Sequence, residues 1–183
     1  MGAFGEIAQS IIQKIAIQEL SRRDFWEFCI YYDEDFFNKR QFLQKVAEAF
    51  TKIYTGEINS LSVSMPPRAG KSYITSLYCA WVIGKNPEGS VMRNCCTTTL
   101  YNKFSYDVRE IIKSPKFKAV FPEVELSKDK TAVTGWNTNQ AKQVSYFGNG
   151  EGGTIIGFGA DTVALTDDVY KSIEDATRPV VQE

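Results

Sequence analysis

Three consecutive residues near the middle of the chain, Gly70, Lys71 and Ser72, have the types and order of a phosphate-binding loop. They complete the second half of the G-x-x-x-x-G-K-[ST] pattern, between a segment with strand-like alternation and an apolar, helix-compatible segment. A glycine lets the backbone approach an anion closely, a lysine supplies a point charge for the β- and γ-phosphates, and a serine offers a hydroxyl to Mg²⁺. The run therefore predicts a nucleotide site, whereas a chance Gly-Lys-Ser turn is the alternative.

The residues before this run depart from a regular phosphate loop. Met65 stands where the first glycine of the pattern is expected, and Pro66 and Pro67 remove two backbone N–H donors. The phosphate cradle is then expected from the amides of Arg68, Ala69, Gly70, Lys71 and Ser72. Arg68 lies close enough in sequence to reach the γ-phosphate, and our hypothesis is that it reports the nucleotide state or stabilises transition-state charge there.

A pair of carboxylates follows an apolar run about a hundred residues further on. Residues 163–166 read Val-Ala-Leu-Thr and are followed by Asp167 and Asp168. Such a strand end is a Walker B candidate, in which Asp167 holds Mg²⁺ and Asp168 orients or deprotonates the attacking water. Glu174 and Asp175 stay open as alternatives for the base, and a strand followed by a polar turn is the plain alternative for the whole motif.

Hydrophobic periodicity predicts helices and strands that would position these residues. Before the Gly-Lys-Ser run, we expect helices over 7–20, 21–30 and 39–54, the last with Gly56 as a cap, and then a strand over 58–65. After the run, we expect a helix over 72–83, a strand over 90–97 and a helix over 100–112. Two antiparallel strands over 131–136 and 144–147 and a strand over 162–166 follow. Strands that alternate with helices indicate an α/β fold, in which a mainly parallel central sheet is flanked by helices on both sides. Residues 1–55 form an N-terminal helical segment in this prediction, and residues 56–183 form the core.

Composition limits the partners and the compartment. The formal net charge is -1, so a nucleic acid would have to meet a local basic patch. The four cysteines lack metal-site spacing, and the chain has no histidine, so we expect reduced, free thiols. No apolar stretch reaches the length of a membrane span, so we expect a soluble protein.

The loop and the strand end resemble those of a known family. Residues 64–72 (Ser-Met-Pro-Pro-Arg-Ala-Gly-Lys-Ser), residues 157–161 (Gly-Phe-Gly-Ala-Asp) and the Asp167-Asp168 strand end are similar to the large terminase subunits of tailed phages. The segments 104–109, 112–115, 120–122 and 126–129 recur in that family in the same order. The resemblance covers roughly residues 25–178.

The resemblance implies a fold and an activity. The expected fold is the P-loop NTPase fold of the ASCE-like kind with an N-terminal helical lid segment, and the expected activity is Mg²⁺-dependent ATP hydrolysis that drives double-stranded DNA into a procapsid. It implies a portal protein and a small terminase subunit as partners, a homo-oligomeric ring, no membrane, and the host cell cytoplasm as the location. It also implies Gln41 as an adenine contact, and that the chain ends before a coupling motif and a nuclease domain, so that no nuclease activity is expected from it.

Several readings stay open from the sequence. Another P-loop DNA translocase or a helicase-like ATPase would use the same residues, and a truncated module that binds nucleotide without turnover is a further alternative. Arg93 and Arg109 are candidates for an arginine finger or for ordinary salt bridges. Lysines 113, 116, 118, 128 and 130 either contact DNA or form a solvated face, and the aromatic residues of segment 25–37 either stack on adenine or pack a helical subdomain.

Overall fold

The computed structural model describes residues 3–148 and 160–168. The helices in this part of the chain are α1 (Ala3–Arg23), α2 (Phe25–Tyr32), α3 (Glu34–Asn38), α4 (Leu43–Thr55), α5 (Lys71–Lys85), α6 (Thr98–Lys113) and α7 (Pro115–Val120). The strands are β1 (Val91–Cys95), β2 (Leu126–Ala132), β3 (Gly135–Thr138), β4 (Tyr146–Phe147) and β5 (Val163–Asp167).

The five strands form one mixed sheet in the order β2-β3-β4-β1-β5. The two parallel pairs of the described sheet both involve β1, which lies between β4 and β5, whereas β3 pairs antiparallel with both β2 and β4. The predicted mainly parallel central sheet of the P-loop NTPase, ASCE-like kind is therefore wrong. The physical reason is the short connections from β2 to β3 and from β3 to β4, since a parallel pair needs a crossover of a dozen or more residues.

One predicted strand is absent, and another is divided. Residues 58–65 alternate in polarity, but in the structure they form neither a strand nor part of the described sheet. The predicted strand over 131–136 is interrupted by a turn at Val133 and Thr134, which separates β2 from β3. Alternating polar and apolar residues are thus not enough to form a strand. A strand also needs a neighbouring strand, because the hydrogen bonds between the two pair its backbone N–H and C=O groups. The antiparallel relation predicted for segment 144–147 holds between β3 and β4.

Helix α5 lies at the centre of the core, and its side chains from Ile74 to Gly84 are buried. The aromatic residues of the N-terminal helices pack against it, with Phe50 stacked on Tyr78 at 4.5 Å and Phe25 edge-on to Tyr78 at 5.2 Å between ring centroids. The indole N–H of Trp81 donates a hydrogen bond to the carbonyl of Ser21 at 3.0 Å. Most of the aromatic cluster in segment 25–37 therefore packs the helices together.

Hydrogen bonds between the Asp161 carboxylate and Ser90 connect the start of β5 to the start of β1. Asp161 Oδ1 accepts hydrogen bonds from the Ser90 amide at 2.6 Å and from the Ser90 hydroxyl at 2.8 Å. Burial would raise the pKa of Asp161, but these hydrogen bonds outweigh it, so that the net pKa is lowered. This contact fixes the register in which Val91 lies opposite Val163 and Cys95 opposite Asp167.

Two expectations from composition have structural counterparts. All four cysteines are free, in agreement with the prediction of reduced thiols. Within the described residues, no helix combines the length and the apolar character that crossing a membrane requires.

The close contact of α5 with Phe121 generates a stability prediction. A Cβ atom added at Gly84 would lie 2.6 Å from Phe121 Cδ2 and 2.7 Å from its Cγ, so Gly84→Ala must displace a buried ring. We expect a net loss of unfolding free energy of about 1–3 kcal/mol from overpacking, measured by urea denaturation. Gly5→Ala is the matched control, because a Cβ on this helical glycine meets nothing within 4 Å. Equal stability of the two variants would contradict the packing described for Gly84.

Candidate nucleotide site

The Gly-Lys-Ser run lies at the start of α5, as its sequence predicts. Gly70 is the N-cap of the helix with φ 106°, a backbone conformation that favours glycine, and Lys71 is the first helical residue. A Cβ atom at Gly70 would lie 2.9 Å from Phe36 Cζ, so the position lacks room for a side chain as well. Arg68 also adopts a left-handed conformation, with φ 64°. The backbone before α5 is therefore a tight loop that presents a helix N-terminus.

The two carboxylates lie at the end of β5, as predicted. Asp167 is the last residue of the strand and its side chain is only 6% exposed, whereas the side chain of Asp168 is 45% exposed. Asp168 has φ 49°, and its carbonyl accepts a hydrogen bond from the Cys96 amide at 3.1 Å. Because β1 and β5 are parallel and end together, both carboxylates lie at the carboxyl edge of these strands, where ligands of open α/β sheets bind.

The structure brings the lysine of the loop to both carboxylates. Lys71 Nζ lies 2.5 Å from Asp168 Oδ1 and 3.2 Å from Asp167 Oδ1. Partial burial would lower the pKa of Lys71, but the hydrogen bond to Asp168 and the charge of Asp167 outweigh it, and the net pKa is raised. Lys71 is therefore fully charged and lies between Asp167 and Asp168. The ion pair with Asp168 joins residues that are ninety-seven positions apart in the sequence.

The buried carboxylate has a second cationic partner, which lies on β1. Arg93 is fully buried, and its Nη2 donates to Asp167 Oδ2 at 2.6 Å. Burial would lower the pKa of Arg93. Its interactions with Cys79, Tyr146 and Asp167 outweigh this effect, so the net pKa is raised. A guanidinium enclosed in this way cannot be offered to a neighbouring subunit. The structure therefore excludes Arg93 as an arginine finger and makes it a salt-bridge residue.

A cavity of about 460 Å³ opens beside the loop. Its polar lining includes Arg68, Gly70, Lys71, Ser72 and Asp168, and its apolar lining consists of Phe36, Met65, Pro66, Pro67 and Tyr73. Five of the predicted site residues thus surround one space. The volume lies within the range of small-molecule sites, and the mixture of apolar walls with a few polar groups is typical of them.

Sequence reasoning missed the side chains that build the apolar wall. The hydroxyl of Tyr73 donates to Asp33 Oδ2 at 3.1 Å, and the Tyr73 ring meets the Phe36 ring edge-on at 4.9 Å. Asp33 Oδ1 accepts from the Phe36 amide and so also caps α3. Burial and then the charge of Asp33 raise the pKa of Tyr73, so the phenol stays protonated. The position of Tyr73 directly after Gly-Lys-Ser was the available signal.

Other predicted residues lie elsewhere. Gln41 is exposed, donates from Nε2 to Asn38 Oδ1 at 3.4 Å and does not line the cavity, so the structure gives it no place against a nucleotide in this site. Three of the predicted lysines already have partners: Lys113 pairs with Glu110, Lys118 pairs with Glu125, and Lys116 donates to the carbonyl of Tyr32. Glu174, Asp175 and the segment 157–159 lie outside the described residues, as does the side chain of Lys130.

No family model, curated protein or solved structure matches the chain. The resemblance to large terminase subunits therefore rests on the short motifs of the sequence alone.

The carboxylate oxygens of Asp167 and Asp168 are ligands that suit a hard divalent cation when it is bound together with phosphates. The described residues contain no group of three or more acidic, cysteine or histidine side chains that could hold a metal by itself. Mg²⁺, however, usually takes one or two carboxylates plus phosphate oxygens and water. Asp167 and Asp168 supply the carboxylates, and the ammonium of Lys71 between them shows that their position suits a cation. The residues present therefore fit Mg²⁺ when a nucleotide is bound.

The loop geometry generates a prediction that separates backbone strain from steric exclusion. Gly70→Ala introduces strain at positive φ, about 1–2 kcal/mol, and also forces Phe36 to move. Gly56→Ala introduces strain at φ 75° alone, because a Cβ there meets nothing within 4 Å. We expect Gly70→Ala to lose more unfolding free energy in urea denaturation than Gly56→Ala. A smaller loss at Gly70 would show that the loop is not packed as described.

The ion pairs of Lys71 generate a second prediction. Lys71→Met removes the internal cation, so the paired carboxylates become available to a divalent cation, and we expect Mg²⁺ alone to raise the melting temperature of this variant more than that of the parent. The double variant Lys71→Met, Asp168→Asn is the control, and its Mg²⁺ response should fall back towards that of the parent. The same response in all three proteins would contradict a shared cation position.

Proposed function

We propose that this chain binds a nucleoside triphosphate with Mg²⁺ and hydrolyses it, and that ATP is the substrate. The observation that carries the proposal is the position of Lys71 at the N-terminus of α5, directly opposite the two carboxylates of β5 and beside a cavity of about 460 Å³. A helix N-terminus with a lysine favours phosphate, and paired carboxylates at the same place favour the cation that accompanies it.

Each side chain has a separate role in the proposed reaction. The amides from Arg68 to Ser72 surround the phosphates, and Lys71 turns from Asp168 towards the β- and γ-phosphates when the anion enters. The hydroxyl of Ser72 and the carboxylate of Asp167 would hold Mg²⁺, and the bound ion would neutralise charge on the phosphate oxygens. Asp168, released from Lys71, orients the attacking water. Arg68 lines the cavity and is exposed, so it can place positive charge on the γ-phosphate.

The apolar wall suggests where the rest of the nucleotide lies. Phe36 and Tyr73 line the cavity next to the loop, and aromatic rings offer flat surfaces to a base or a ribose. Gln41 lies outside the cavity lining, so this wall is the better candidate for adenine contacts. Arg40 lies over the Phe36 ring at 4.0 Å, which holds that ring in place.

For the biological role, we propose the motor of a viral DNA-packaging machine. The support is the resemblance of residues 64–72, 157–161 and 167–168 to large terminase subunits. In this role the chain acts on double-stranded DNA in the host cell cytoplasm, as a ring at the portal protein of a procapsid and together with a small terminase subunit. The alternatives are another DNA translocase or helicase-like ATPase and a nucleotide-binding module without turnover.

The test is phosphate release from Mg-ATP, with and without double-stranded DNA. We expect Lys71→Ala to abolish nucleotide binding and turnover, and Asp168→Asn to keep binding while turnover falls about 100-fold or more, since about 100-fold is the lower end of the range for general acid–base catalysis. Lys45→Ala, which changes an exposed lysine on α4, is the control and should behave as the parent.

The outcomes distinguish the candidates. Turnover that is lost in Lys71→Ala and Asp168→Asn but kept in Lys45→Ala supports a hydrolase, and stimulation by DNA without strand separation favours packaging over a helicase. Binding without phosphate release in the parent identifies a nucleotide-binding module. Neither binding nor release in the parent overturns the proposal.

A further inference from the structure

Arg93 lies on the buried face of β1, where the other side chains are apolar. Along β1 the buried positions are Val91, Arg93 and Cys95, and Arg93 has no exposed surface. A guanidinium in such a place loses its hydration, and replacing a buried ion pair by well-packed apolar residues is often neutral or stabilising. Stability alone therefore does not account for an arginine at this position.

The guanidinium contacts three elements that surround the site. Its Nη2 donates to Asp167 Oδ2 on β5 at 2.6 Å, its Nη1 donates to Ser76 Oγ on α5 at 2.9 Å, and the ring of Phe104 on α6 lies 3.8 Å below its centre. Arg93 Nε has no hydrogen-bond partner in the described part of the chain. The side chain is thus held by its two terminal nitrogens and one aromatic face, which fixes the plane of the fork.

The two oxygens of Asp167 are consequently divided between two cations. Oδ2 faces Arg93, which is fully buried, whereas Oδ1 faces Lys71, which lines the cavity. We propose that Arg93 is a positioning residue, which locks Oδ2 so that Asp167 presents only Oδ1, in a fixed orientation, to the Mg²⁺ that accompanies a bound nucleotide. This inference rests on the proposed nucleotide binding.

The same guanidinium connects the carboxylate to the phosphate loop. Ser76 accepts from Arg93 and donates in turn to the carbonyl of Ser72 at 2.9 Å. Ser72 is the residue whose hydroxyl is proposed for Mg²⁺, so one chain of hydrogen bonds leads from one proposed metal ligand, through Arg93, to the backbone of the other. Arg93 therefore sets the relative position of Asp167 and Ser72.

The experiment measures the Mg²⁺ dependence of nucleotide binding, because a general loss of structure would not change it selectively. The dissociation constant of a non-hydrolysable ATP analogue is measured with Mg²⁺ and with EDTA, and the ratio of the two values is compared between variants. We expect Arg93→Lys to reduce the benefit of Mg²⁺ by about tenfold or more, as for other residues that orient metal ligands, while the affinity in EDTA stays at the parental value. A lysine keeps the charge but lacks the fork that reaches both Asp167 and Ser76.

Two further variants keep the inference testable. Ser76→Ala leaves the Arg93–Asp167 pair intact and removes the hydrogen bond from Nη1 together with the one to the Ser72 carbonyl, which breaks the link between Arg93 and the phosphate loop. We expect a smaller loss in the same direction, and this variant decides the question if Arg93→Lys does not fold. Phe117→Leu is the control for stability, because Phe117 is a buried core residue of α7 that does not line the cavity, and its Mg²⁺ ratio should equal that of the parent.

The results separate this inference from the proposed function. A parental Mg²⁺ ratio in Arg93→Lys, or in Ser76→Ala where the first variant does not fold, overturns the positioning role. Equal weakening with Mg²⁺ and with EDTA overturns it as well, since that pattern indicates a structural effect. A parent chain that binds the analogue no more tightly with Mg²⁺ than with EDTA overturns the proposed function itself.

Discussion

The candidate site depends on the two ion pairs that the buried carboxylate of Asp167 forms. A carboxylate that is 6% exposed is tolerable only with charged partners, and this one has Arg93 on one oxygen and Lys71 on the other. These partners come from β1 and from the first turn of α5, so satisfying one charge requires the strand, the helix and the loop before it to be in place. The parallel register of β1 and β5 supplies this arrangement, because it ends both strands at the same edge.

The sequence predicted which side chains come together at the candidate site better than it predicted the sheet around them. Gly70, Lys71 and Asp168 could be selected because their order and flanking segments match a phosphate loop and a Walker B strand end, and the structure brings them together. Strand direction, by contrast, depends on which segments become neighbours. The turn at Val133 and Thr134 makes β2 and β3 antiparallel, and periodicity over residues 131–136 carries no information about that turn.

Two other residues illustrate what single-sequence reasoning cannot decide. Arg93 has the same residue type whether it is a surface cation or a buried one, and only the pairing of β1 with β5 reveals a fully enclosed guanidinium. Phe36 and Phe37 are adjacent in sequence, yet Phe37 is buried in the core while Phe36 lines the cavity. A difference of one residue along the helix therefore separates a side chain in the core from one in the cavity wall.

The pairing of Lys71 with Asp168 also constrains the order of events in the proposed reaction. While Lys71 neutralises both carboxylates, neither a cation nor an activated water has a free acidic partner, and the lysine is not available to a phosphate. A bound triphosphate would attract Lys71 away from the carboxylates, which would free Asp168 and leave Asp167 able to hold the accompanying Mg²⁺. Arg93 does not take part in this exchange, because it is buried on the other oxygen. The buried Arg93–Asp167 pair would thus keep Asp167 in position while the exposed Lys71–Asp168 pair rearranges in the proposed reaction.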